Sequence, residues 1–229
     1  MLPAVVLASW WAQAQPAPVA APPAAAPAAL PVFVPLDNRI AVVASYARRL
    51  GDEAAVIGPR NGFGVGGSYE RRILPLPHDF ELGAGVNFFY DKFQTGVTGT
   101  TMVTPGQIQT YQGERVLSQT SFAATAVAAW RWRRLRPYVQ VGGGFTIAYF
   151  DTPEGVYQPG NQTAVQPLIR TTGGLDVAIT RDIAITARVS YTHLFTRPTF
   201  TTMPEGGAGA TLSILGDLFE AGAGVALGF

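Results

Sequence analysis

The chain has 229 residues, 48% of them hydrophobic, 14% charged and 11% aromatic, with 26 glycines, 18 prolines and no cysteine. Ordinary globular domains carry about 25% charged residues, so much of this surface avoids water; a positive mean hydropathy and a net charge of +1 exclude a disordered polymer and argue against nucleic acid as the main partner. The missing cysteines remove disulfides, thiolate catalysis and cysteine-type metal sites, and of the 16 basic residues all but Lys92 are arginines.

Met1 to Trp11 is an apolar run ending in Ala12-Gln13-Ala14. That is the small-x-small form of a secretory cleavage site, so residues 1–14 are expected to be a signal peptide with a truncated basic n-region. Residues 15–36 are nearly all proline, alanine and valine, a composition that closes no core and prefers extended conformations. They are expected to be a linker to a domain over residues 37–229. No stretch reaches the roughly 18 consecutive apolar residues of a transmembrane helix, so any crossing of a membrane is left to strands.

From Ile40 onward the hydrophobic period is two. Phe80, Leu82, Ala84, Val86, Phe88 and Tyr90 alternate with Asp79, Glu81, Gly83, Gly85, Asn87 and Phe89. Val139 to Tyr149, Ile183 to Thr192 and Phe219 to Phe229 alternate in the same way, and less regular versions run through Ile40–Arg49, Phe63–Ile73, Gln119–Trp132 and Pro167–Ile179. That makes eight strands. The connections Pro75–His78, Arg133–Arg136 and Thr180–Asp182 are short; Gly51–Gly62, Gln94–Leu117, Asp151–Val165 and Thr196–Asp217 are long. Short and long alternate strictly, as an all-β, eight-stranded antiparallel up-and-down transmembrane β-barrel requires, with short periplasmic turns and long external loops. Both termini then fall on the short-turn side. Gly206–Leu215 is not counted, because a ninth strand would put the C-terminus on the wrong side.

The polar rows hold mostly glycine, alanine, serine and threonine, residues that suit the cramped interior of eight strands better than a soluble exterior. The apolar rows carry aromatics toward their ends: Phe80, Tyr90, Trp130, Trp132, Tyr149, Tyr191, Phe219 and Phe229. These are expected to form two aromatic girdles about 25 Å apart, with the lipid between them.

The eight alternating strands and the last strand, Phe219-Glu220-Ala221-Gly222-Ala223-Gly224-Val225-Ala226-Leu227-Gly228-Phe229, resemble those of the small outer-membrane β-barrel proteins of Gram-negative bacteria, the OmpA/OmpX-like and opacity-type barrels. The resemblance covers about residues 38–229. It implies a place in the cell outer membrane among its lipids, a monomer, and insertion by the barrel-assembly machinery through the strand that ends in Phe229. The sequence departs from the larger OmpA proteins in lacking their peptidoglycan-binding domain, so their periplasmic anchoring role is not expected here. The family includes adhesins, anchors, small pores and a few lipid-modifying enzymes, so it fixes location and fold more firmly than activity.

The inner rows carry Glu70, Arg72, Glu81, Arg131, Arg170, Asp176, Arg188 and Glu220. Acids and bases balance, and a salt-bridge plug is the economical reading. Glu70, Arg72 and Glu81 are expected together near the Pro75–His78 turn, and Arg188 is expected to bridge Asp176. A gate, in which these pairs exchange partners, is the functional variant. No catalytic residue, metal site or cofactor is expected. His193 lies near Ser190, but a lipid A deacylase of similar barrel type has its serine two residues after the histidine, where this chain has Phe195. Gly62, Gly64 and Gly67 spell G-x-G-x-x-G without a following helix, and Arg131, Arg133, Arg134 and Arg136 form a basic run at a short turn. The expected function is structural or surface contact through the loops, without enzymatic activity. Transport of small or apolar solutes is the alternative, with a lipid A-modifying enzyme or a soluble lipocalin-like carrier behind it.

Overall fold

The computed structural model describes residues 37–50, 60–104, 107–151, 161–196, 199–202, 210–213 and 216–229. The expected signal peptide and linker lie outside the described residues. Ten strands are present: β1 (Asn38–Arg49), β2 (Asn61–Pro75), β3 (Phe80–Thr104), β4 (Gln107–Trp130), β5 (Leu135–Asp151), β6 (Asn161–Ala178), β7 (Ile183–Leu194), β8 (Thr199–Thr202), β9 (Ala210–Ser213) and β10 (Leu218–Gly228). Eight of them close into an antiparallel barrel in the order β1-β10-β7-β6-β5-β4-β3-β2, and β8 pairs only with β9. No helix among the described residues is long and apolar enough to cross a membrane.

Closure is made at the seam, where β1 and β10 pair from Arg39↔Gly228 to Arg49↔Leu218. Below that, Asn38 and Phe229 exchange both backbone hydrogen bonds, each at 3.0 Å. The two ends of the barrel sequence thus meet at the short-turn rim. A closed ladder leaves no strand edge unpaired, which hydrocarbon demands because it offers backbone groups no other partner.

The three short connections are built tightly. His78 and Asp79 adopt left-handed conformations, with φ of 61° each, and Arg133 does so at 55°. Trp132 and Leu135 bond to each other's backbone across Arg133 and Arg134. At the third turn the Thr180 hydroxyl accepts hydrogen bonds from the Asp182 and Ile183 N–H groups.

Two expectations about the long connections need correction. Most of Gln94–Leu117 is ladder: β3 and β4 stay paired from Gln94↔Val116 to Thr104↔Gln107. Neither alternate row of this segment's sequence is apolar, so the period-two signal fades, yet its many threonines and valines favour extended backbone. Thr196–Asp217 likewise contains the β8–β9 hairpin, whose strands pair with each other and with no strand of the barrel.

Candidate functional site: the plugged lumen and the lipid-facing wall

Alternation sorts the side chains into two environments. Outside lie Val42, Val86, Val141, Ile185 and Val225, about half exposed, together with all eight girdle residues: Phe80, Tyr90, Trp130, Trp132, Tyr149, Tyr191, Phe219 and Phe229. Phe80 stacks on Trp130, and Trp130 on Trp132, at the short-turn rim. At mid-height Phe88, Phe122 and Phe145 form a row across three strands. Inside lie the charges: Glu70, Glu81, Arg136, Arg170, Asp176, Arg188 and Glu220 are all buried. This is the reverse of a soluble carrier, which would bury the apolar rows. An outward apolar surface of this kind is stable only against lipid, where burying it is worth about 25 cal/mol per Å².

The lumen is layered. At the short-turn end Arg136 is the hub of an ionic cluster. Its Nε donates to Glu81 Oε1 at 2.5 Å, one terminal nitrogen donates to Asp176 Oδ2 at 3.1 Å, and the other to Glu70 Oε1. Arg39 adds a 2.6 Å pair with Asp176 and a looser one, at 3.6 Å, with Glu70. Arg131 Nε stands 3.2 Å from Glu81 Oε2. Three guanidinium groups thus meet three carboxylates, and the Tyr138 ring lies beneath Arg39 and Arg136. Arg72 lines the same mouth but pairs outward, with Asp37, at 2.7 Å. The mouth cavity has a volume of about 50 Å³, room for a handful of waters and far below a small-molecule pocket.

Midway up, Phe89 turns inward, almost wholly buried, with the Arg170 guanidinium 3.7 Å and that of Arg188 4.3 Å from its ring centre. Arg170 pairs with Glu220 at 2.6 Å, and fully buried Asp91 is within electrostatic reach of Glu220, Arg170 and Arg188. The ring fits because Gly66 faces it: a Cβ there would come within 2.1 Å of Phe89. Hydrogen bonds between Ser121 and Thr146 and between Thr172 and Ser190 tie the strands around this layer. Above it, at the long-loop end, the interior turns largely apolar, with buried Arg49 and Gln166 as polar members of this layer. Phe93, Leu117, Phe150, Leu168, Leu194 and Leu218 pack together and stopper the barrel.

The structure therefore joins Glu70, Glu81 and Asp176 in one cluster with Arg131, and Arg170, Arg188 and Glu220 in another. It does not join Arg188 to Asp176: the two stand at different heights, and Asp176 is taken by Arg39 and Arg136. Sequence reasoning missed Arg136 as a lumen residue, counting it in the short Arg133–Arg136 connection, whereas β5 begins at Leu135. Continuing the parity of Val139 and Val141 backward puts Tyr138 and Arg136 inside, and Pro137 is tolerated on the outer row near the strand start. It also missed the apolar stopper, although Phe89 and Phe93 stand in the inner row of β3.

The remaining chemistry is sparse. No group of three or more metal-ligating side chains occurs among the described residues. Ser190 points into the lumen, bonded to Thr172, whereas His193 lies on the outside against Asp217 at 2.9 Å; the two are on opposite faces of the sheet. Asp217 also accepts from the Tyr191 hydroxyl at 2.5 Å and the Leu194 N–H at 3.4 Å. Partial burial pushes its carboxyl up, but the hydrogen bonds from Tyr191, His193 and Leu194 outweigh this and hold it below the usual aspartate range.

No protein-family model matches the sequence, and no curated protein matches it. Among solved structures, Neisserial surface protein A shares the fold, with 15% identity over 84% of this chain and 97% of that one and a TM-score of 0.56. Ail of Yersinia pestis is 13% identical over 84% of this chain and 96% of its own, with a TM-score of 0.46. For the N-terminal β-barrel domain of Pseudomonas aeruginosa OprF the identity is 14%, the coverage 85% and 100%, and the TM-score 0.41. Identities this low speak to fold alone. By that fold, with a charged interior wrapped in an apolar exterior, the chain is an eight-stranded antiparallel β-barrel similar in architecture to a bacterial surface protein barrel.

Proposed function

We propose that this protein is a non-enzymatic anchor of the outer membrane that presents the β3–β4 hairpin outside the cell for structural or surface contact. The observation that carries the reading is the continuation of the β3–β4 ladder up to Thr104↔Gln107, while β2 meets β3 only as far as Gly62↔Phe93 and β5 meets β4 only as far as Val116↔Asp151. A strand advances about 3.3 Å per residue, so the hairpin rises roughly 30 Å beyond the last barrel rung. A barrel closed by ions at one end and by apolar side chains at the other supports an anchoring role over a conducting one. The lipids of the membrane and the assembly machinery that reads the strand ending in Phe229 belong to this reading, as does a monomeric barrel.

An epitope inserted between Thr104 and Gln107 tests it. Antibody should label intact cells, and the barrel should migrate anomalously on gels until boiled. Labelling only after permeabilisation would refute the orientation and with it the surface role. Steady nanosiemens-scale steps from the purified protein in planar bilayers would favour the solute-transport reading instead.

A further inference from the structure

The outer rim of the wall is not uniform in charge. Just above the aromatic girdle on three neighbouring strands stand Arg48 near the end of β1, Arg60 before β2, and Lys92 on β3, all exposed. The ladder sets them side by side: Arg48 is the register partner of Asn61, which follows Arg60, and Lys92 is the partner of Phe63. With adjacent strands about 4.8 Å apart, the three cations share a sector roughly 10–12 Å wide. None of them makes an ion pair among the described residues. Elsewhere on the outer rim the described outward side chains bring no further lysine or arginine; they include Tyr149 and Asp151 on β5 and Tyr191 and His193 on β7.

Below the cations the wall is aromatic. The rings of Tyr46 and Phe63 meet edge to face with centroids 5.8 Å apart, and Phe63, 74% exposed, is the most open of the large apolar residues described. A cation in a lipid-facing row keeps its head at the interface and its stem along the apolar wall. Three such heads, with no counter-ion among the described residues, attract an anion, and the rings beneath offer contact to a hydrocarbon tail attached to it.

We propose that the Arg48, Arg60 and Lys92 sector binds the phosphate of a phosphorylated lipid in the outer leaflet, with the acyl chain lying along Phe63 and Tyr46. The two guanidinium groups supply planar, paired donors suited to phosphate oxygens, and Lys92 supplies a compact third charge. The proposal rests on the barrel spanning the membrane, which membrane fractionation tests by itself. A chain recovered in the aqueous fraction would end both readings, whereas a membrane barrel indifferent to phosphate would end only this one.

The test is native mass spectrometry of the full chain released from detergent micelles containing either dioleoyl phosphatidic acid or dioleoylglycerol, which differ only in the phosphate. Retention of phosphatidic acid should exceed that of dioleoylglycerol at least tenfold. Each cation removed should cost about fivefold, so the combined variant Arg48→Gln, Arg60→Gln, Lys92→Gln should lose the preference, and Lys92→Gln alone should weaken it about fivefold if the combined variant does not fold. Arg71→Gln with Arg133→Gln, at the opposite rim, should retain it. Equal retention of the two lipids, or an equal loss in the opposite-rim variant, would overturn the proposal. So would displacement of phosphatidic acid by inorganic phosphate at matching concentration, which would mark a free-ion site instead of a lipid site.

Discussion

Removing the Arg136 side chain is the sharpest perturbation the lumen offers. Arg136 contacts Glu70, Glu81 and Asp176, but its loss does not strand all three: Arg39 still reaches Asp176 and Glu70, and Arg131 still reaches Glu81. The cluster passes from three charges of each sign to one uncompensated carboxylate. Arg136→Met should therefore cost about 3–5 kcal/mol, the penalty for one unpaired buried charge, with the mouth waters drawing it toward the lower figure. Adding Glu70→Leu restores the balance with two intact pairs, Arg39 with Asp176 and Arg131 with Glu81. The double variant should then recover more than half of the loss, a non-additive result of the kind expected within one network. Urea unfolding in lipid vesicles, followed by tryptophan emission and by gel migration without boiling, measures the wild type, both single variants and the double. A single variant within about 1 kcal/mol of the wild type, or a double variant costing the sum of the two singles, would refute the account of Arg136 as hub.

Gly66→Ala places a methyl group against the Phe89 ring and should destabilise by about 1–3 kcal/mol, and Phe89→Leu in the same chain should relieve part of it; denaturation in vesicles would show both. Combining Phe93→Ala, Leu117→Ala and Phe150→Ala hollows the apolar stopper, so planar-bilayer recordings should show brief openings absent from the wild type, provided the ionic cluster below also yields. For Asp217 the folded carboxyl titrates below its unfolded value, so its contribution is present above the ordinary aspartate range of about 4 and fades as pH falls through the folded value. Asp217→Asn should flatten the acid limb of the stability profile measured from pH 7 to pH 3, by a modest amount because the site is partly exposed. A limb as steep as that of the wild type would exclude this carboxylate as its source.

The barrel wall was legible in the sequence because lipid and lumen impose opposite chemistry at every step: Val86 beside Asn87, Ile185 beside Thr186. The interior partners were not. Parity says that Arg188 and Asp176 both face inward, but height along the axis depends on the stagger between strands, and the ladder sets Arg188 beside Gly174 and Asp176 beside Thr186, two residues apart. The β3–β4 hairpin was hidden for a different reason. Thr95 to Thr104 has strand propensity without an apolar row in its sequence, so alternation carried no signal there. Arg136 was readable from the parity of Val139 and Val141, but it was counted with Arg131, Arg133 and Arg134 as a basic run at a short turn.

The seam between β1 and β10 couples manufacture to maturity. Seven staves can associate in any order their hairpins allow, but the cylinder stays split lengthwise until the final stave arrives and Phe229 finds Asn38. Until then each margin is a sticky, half-satisfied ribbon that other unfinished chains could capture. The step that completes the vessel joins the most distant parts of the polymer and is for that reason among the slowest to form unaided.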